Sequence, residues 1–110
     1  MPHARVIIEH DCIQSAVSEL IDDIWDDSQK LSNKLEDYYE KSSQVKTTAE
    51  FFSYQIQHCR QQIQKLSAII MVHHDVMDEY GYISSLMKAT EAQDEYYTCL
   101  HIIDVLMSNS

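Results

Sequence analysis

The chain has 110 residues, 45% of them hydrophobic, with 18 acidic against 8 basic residues and a formal charge of −10. That length supports one domain with one core, and the charge repels nucleic acid phosphates and anionic lipid, which argues against direct nucleic acid or membrane-surface binding. A single Gly (Gly81) and a single Pro (Pro2) leave an all-β or loop-rich fold without its turn residues, so helices joined by few turns remain.

The first predicted helix covers about 6–41. Its apolar stripe runs through Val6, His10, Ile13, Val17, Leu20 and Ile24, then steps by four through Ser28 to Leu31, Leu35 and Tyr38. That extra step is a stutter, which locally unwinds a supercoil. Ile21, Trp25 and Tyr39 widen the stripe, so this helix is expected to touch two neighbours. Val6-Ile7-Ile8 is equally a strand-like run, which leaves the start of the helix open. Glu19, Asp22, Asp23, Asp26 and Asp27 fall on one broad face away from the stripe, with like charges four apart that weaken the helix by a few tenths of a kcal/mol per pair, on the order expected for such spacing. This face reads either as solvated surface or as a patch that steers a basic partner.

A polar stretch, Lys41–Thr47, separates the first two helices. Thr47-x-x-Glu50 fits a capping box, placing the start of the second helix at about residue 48. Phe52, Ile56, Cys59, Ile63, Leu66, Ile70, His73, Met77 and Tyr80 then recur at 4-3-4-3 spacing over four heptads. Such spacing makes a coiled-coil seam or the core face of a bundle helix. Gly81 is expected to end this helix at about residue 80, in the left-handed conformation that Gly adopts at least cost.

The third helix is predicted over about 83–107. Ala89, Ala92, Tyr96, Cys99, Ile103 and Leu106 form its stripe, with Leu86, Tyr97, Leu100 and Met107 beside it. Short connections make the three antiparallel, up-down-up. The expected fold is therefore all-α: a single-domain three-helix bundle over 1–110, with two long coiled-coil-like helices and a shorter third, completed by dimerisation or a partner chain. On these lengths the uncovered end is the turn between helices 1 and 2, where Tyr38, Tyr39, Phe51, Phe52 and Tyr54 collect, and exposed aromatics of this kind mark interfaces.

No catalytic grouping is legible. One Gly rules out a phosphate-binding loop and a nucleophile elbow. Antiparallel pairing brings Glu9, His10, Asp11 and Cys12 near His73, His74, Asp75, Asp78 and Glu79, and His74 and Asp78 share a helix face, but the Glu-x-x-His and His-Glu-x-x-His metal signatures are absent. No cofactor or metal is therefore expected, and the histidines on the stripe read as structural. Two of them in a seam would also make association sensitive to protonation. Three cysteines, Cys12, Cys59 and Cys99, on helical stretches suit free thiols in a reducing compartment. No apolar run is long enough for a membrane span or signal-peptide core, which points to a cytoplasmic chain.

The expected function is a non-catalytic protein–protein interaction module of the adaptor, chaperone, immunity or inhibitor kind, a homodimer or hetero-oligomer. Its interface would combine an apolar set, Trp25, Ile21, Tyr38, Tyr39, Phe51, Phe52, Tyr54, Ile63, Leu66 and Ile70, with the acidic set Glu19, Asp22, Asp23, Asp26 and Asp27. The alternative is an acidic inhibitor that mimics DNA phosphates towards a nucleic-acid-binding enzyme; a metal-binding bundle is third. In size and class alone the chain resembles small bacterial or phage accessory proteins and small subunits of eukaryotic coiled-coil assemblies.

Overall fold

The computed structural model describes residues 2–41 and 49–108. Three helices account for nearly all of them: α1 (Pro2–Glu40), α2 (Ala49–Val76) and α3 (Glu79–Ser108). No strand occurs among the described residues. The pairings that cross between helices fix the topology. Gln14 lies against Asp78 and Gly81, Asp22 against Lys88, and Asp27 against Tyr96, so α3 runs parallel to α1. Gln62 reaches Tyr96, Gln93 reaches Ser67, and His73 reaches Tyr82, so α2 runs antiparallel to both. The result is an up-down-up three-helix bundle in which α3 packs most extensively on α1 and α1 touches α2 least.

The core is built from one stripe of each helix. Ile21, Ile24, Leu31 and Leu35 come from α1, and Phe52, Cys59, Ile63 and Leu66 from α2. Ala89, Ala92, Tyr96, Cys99, Ile103 and Leu106 come from α3. Small residues at 89, 92 and 99 let the other helices approach α3 closely, and Tyr96 fills the space between them. The four-residue step in the α1 stripe falls on Ser28, which is fully buried and donates its hydroxyl to the Trp25 carbonyl at 2.6 Å. A serine bonded back into its own helix fills that position without leaving an unpaired polar atom.

The turn between α2 and α3 lies upstream of where the glycine suggests. α2 stops at Val76, and the Asp78 Oδ1 accepts from the Gly81 N–H at 2.7 Å while the Tyr82 N–H bonds to the Asp78 carbonyl at 2.7 Å. Asp78 is thus the N-cap of α3: a carboxylate satisfying the first-turn amides is a stronger local signal than glycine's conformational freedom. Gly81 sits inside that first turn with no positive φ. A Cβ there would stand 2.9 Å from Gln14 Nε2, the end of a flexible side chain that can swing aside. Glu50 does lie in the first turn of α2, whereas Thr47 falls outside the described residues. Replacing Asp78 by Ala should cost about 1 kcal/mol, visible as a drop of roughly 4–8 °C in Tm; an unchanged Tm would mean that the cap is not holding the turn.

This shift reverses the expected imbalance of lengths. α3 has 30 residues and α2 has 28, while α1 has 39. Because the Gln14 side chain accepts from the Asp78 N–H at 3.3 Å, the α2–α3 turn stands level with Gln14. Residues 2–13 of α1 run past it, roughly 18 Å of helix, in a molecule 65 Å long. The uncovered end is therefore the α2–α3 end, where α1 runs on past both neighbours, not the α1–α2 end.

Candidate protein-interaction surface

At mid-length the three helices are tied by one polar network. Tyr96 is fully buried on α3. Its hydroxyl donates to Asp27 Oδ2 at 2.5 Å, lies 3.0 Å from the Ile24 carbonyl oxygen, and accepts from Gln62 Nε2 at 3.3 Å. His58 on α2 donates from Nε2 to the same carboxylate oxygen at 2.7 Å. The His58 ring lies edge-on to Tyr96 and stacks on Tyr54 at 6.3 Å between centroids. Burial and the bond to Asp27 push the Tyr96 phenol far above its ordinary range, which keeps it a donor.

For Asp27, burial opposes the charge, but hydrogen bonds from Tyr96 and His58, the charge of His58, and a further bond from Gln62 outweigh it. Its pKa therefore falls below the ordinary 3.8. A group whose pKa is depressed on folding contributes stability that is complete above the unfolded value and is lost as pH drops through the folded one. Asp27→Asn should thus flatten the acid limb of the stability curve below pH 3.8. At neutral pH it should cost on the order of 1 kcal/mol, a figure held down by the carboxylate's partial exposure. Urea unfolding at a series of pH values measures both, and an unchanged acid limb would remove Asp27 from the linkage.

The residues expected at an apolar interface separate into three groups. Ile21, Phe52, Ile63 and Leu66 are buried in the chain's own core, which corrects their assignment to a partner surface: the seam of α2 is covered by α3 and α1. Trp25, Tyr38, Phe51 and Ile70 are half-buried against that core. Tyr38, Phe51 and Phe52 pack edge to face, with centroids 5.4 and 5.8 Å apart, and Lys34 Nζ lies 5.3 Å over Phe51. They close the end of the core rather than opening a surface. Only Tyr39 and Tyr54 of the set are exposed.

The acidic set also divides. Glu19, Asp22, Asp23 and Asp26 are exposed, while Asp27 turns into the network. Lys88 from α3 bonds Asp22 at 2.7 Å and places its ammonium 4.9 Å over the Trp25 ring. Its pKa rises through the bond to Asp22. Cys12 is exposed, and Cys59 and Cys99 are buried together between α2 and α3. The hydrogen bond to Cys59 and burial push the Cys99 thiol far above its ordinary range, while the same bond lowers that of Cys59. His73 is buried with Nδ1 3.1 Å from the Ile70 carbonyl and Nε2 3.2 Å from that of Tyr82, and tethers α2 to the start of α3. The His10 and His74 side chains fall outside the described residues.

Two surfaces were not legible as such. The first surrounds the α2–α3 turn: Met71 and Val72 on α2, Ile13 and Leu20 on α1, and Tyr80, Ile83 and Met87 on α3 are exposed, Tyr80 at 88% and Met71 at 75%. Tyr80, Ile83 and Met87 follow a helical 3-4 spacing, a stripe that becomes visible only when α3 begins at Glu79. The second is a groove of about 350 Å³ between the C-terminal parts of α1 and α3, lined by Glu36, Tyr39, Glu40, His101, Ile102 and Val105. Among the described residues no group of three His, Cys, Asp or Glu side chains is placed to hold a metal, and no helix is long and apolar enough to cross a membrane. No known family model, curated protein or solved structure matches this chain.

Proposed function

We propose that this protein is a non-catalytic interaction module that associates by helix packing, most directly with a second copy of itself. The observation that carries this reading is the α2–α3 end of the bundle. There α1 continues past its neighbours, and large apolar side chains of all three helices stand in solvent. Large apolar side chains exposed near one end of a bundle suit an association site. A second bundle laid against the overrun would supply the missing helices.

The acidic face gives less support to phosphate mimicry, because Asp27 is drawn inward and Asp22 is held by Lys88. The test is light scattering on the chromatographed protein across about a hundredfold dilution, over which a mass-action equilibrium must shift. The wild type should exceed the 12.9 kDa of one chain. Ile83→Glu with Met87→Glu should reduce it to the monomer with helical circular dichroism intact. A monomer at every concentration in the wild type sinks the self-association reading.

A further inference from the structure

We propose that the groove between α1 and α3 takes a basic amphipathic segment of a different protein. An apolar side chain would enter between Tyr39, Ile102 and Val105, and flanking Lys or Arg residues would meet Glu36 and Glu40. This rests on reading the chain as an interaction module, but it uses another face, at the opposite end from the apolar surface of the α2–α3 turn.

The size suits such an occupant: about 350 Å³ lies at the lower end of the ~300–1,000 Å³ of sites that bury a sizeable apolar group. Ile102 packs on the core from beneath, so the floor is backed by rigid structure. Tyr39 is more than half exposed, giving a flat aromatic wall of the kind enriched where binding energy concentrates.

Charge selects the occupant. Glu36 and Glu40 are exposed and one helical turn apart on α1, and among the described residues neither is held in an ion pair. Among the described residues the nearby lysines are engaged elsewhere. Lys41 bonds Asp37 at 3.0 Å, and Lys34 lies over Tyr38 and Phe51. Two like charges four apart on a helix repel, and a cationic side chain between them relieves that repulsion. A second copy of this chain is the poorer fit, because each copy carries a charge of −10 and brings net repulsion to an acidic rim. A cationic segment is instead attracted over the whole approach.

The probe is a fluorescein-labelled synthetic helix with Leu at i, i+3, i+4 and i+7 and Lys between, read by anisotropy near physiological salt, where distant charges are screened beyond about 8 Å. Its counterpart has Glu for every Lys. The Lys peptide should saturate the wild type and the Glu peptide should not bind. Glu36→Lys with Glu40→Lys should weaken the Lys peptide about tenfold or more, whereas Asp23→Lys with Asp26→Lys, the same change in net charge, should alter it less than about threefold. Val105→Asp should also abolish binding, with circular dichroism confirming that it folds; the two surface reversals decide the matter if it does not. Equal loss from both reversals reduces the effect to net charge and overturns the groove, as does failure of the wild type to bind. The Ile83→Glu, Met87→Glu protein should bind the peptide like wild type, so loss of the groove leaves the association reading standing, and the reverse.

Discussion

Replacing Tyr96 by Ala is expected to destabilise the protein by about 3–5 kcal/mol, the range for deleting a large buried aromatic. Tyr96→Phe, which keeps the ring, should cost about 1–3 kcal/mol. The ring is fully buried between α1 and α2, and its hydroxyl serves Asp27, Ile24 and Gln62 at once. Removing only the oxygen takes one donor from the partly buried Asp27 carboxylate, which keeps those of His58 and Gln62, and removing the ring adds a cavity where three helices meet. Since small domains are stable by only about 5–15 kcal/mol in total, the Ala variant should sit near the edge of folding. Urea unfolding followed by circular dichroism measures both. A Phe variant as stable as wild type would mean that the hydroxyl's bonds contribute nothing net.

Leu66→Ala should cost about 2–5 kcal/mol, while Met71→Ala, five residues along the same helix, should stay within about 0.5 kcal/mol. Leu66 is fully buried and Met71 is 75% exposed, so the pair separates core from surface on α2. The same two variants examined by light scattering reverse the roles. Leu66→Ala should leave the mass unchanged wherever it folds, and Met71→Ala should weaken association. A stable Leu66→Ala protein that failed to associate would return the α2 seam to the interface.

The helices themselves were legible because their signal is local. Scarce Gly and Pro, and apolar residues at 4-3 spacing, dictate helix and face without reference to anything distant, and the six-residue stripe from Ala89 to Leu106 is buried in full. What covers a stripe is a different matter. Ile63 and Leu66 carry the same spacing whether α3 or a foreign chain lies over them, and periodicity cannot distinguish the two. Asp27 shows the same limit: on the helix it belongs to the acidic row, and only His58 and Tyr96, 31 and 69 residues away, draw it inward. Trp25 is likewise roofed by Lys88 from a different helix.

The helix ends failed for a nearer reason. Asp78 and Gly81 both speak for a turn, and a three-residue choice between them moved Tyr80 from the α2 seam to an exposed place on α3. That choice also decided which end of the bundle is left uncovered. The apolar stripe at the α2–α3 end is thus present in the sequence once α3 starts at Glu79 rather than beyond Gly81.

The uneven packing of the helices bears on how the chain folds. α1 is bound mainly to α3 and least to its sequence neighbour α2. The connection between α1 and α2 therefore closes with little reward, whereas α2 and α3 form a compact hairpin across a two-residue turn and meet at once. Loop-closure entropy favours that hairpin as the early structure. α1 should dock last, onto a preformed α2–α3 surface, when Tyr96 finds Ile24 and Asp27 across 72 and 69 positions of sequence. Substitutions in α1 should then speed unfolding and leave the folding rate nearly unchanged, and those along Cys59, Ile63 and Cys99 should slow folding itself.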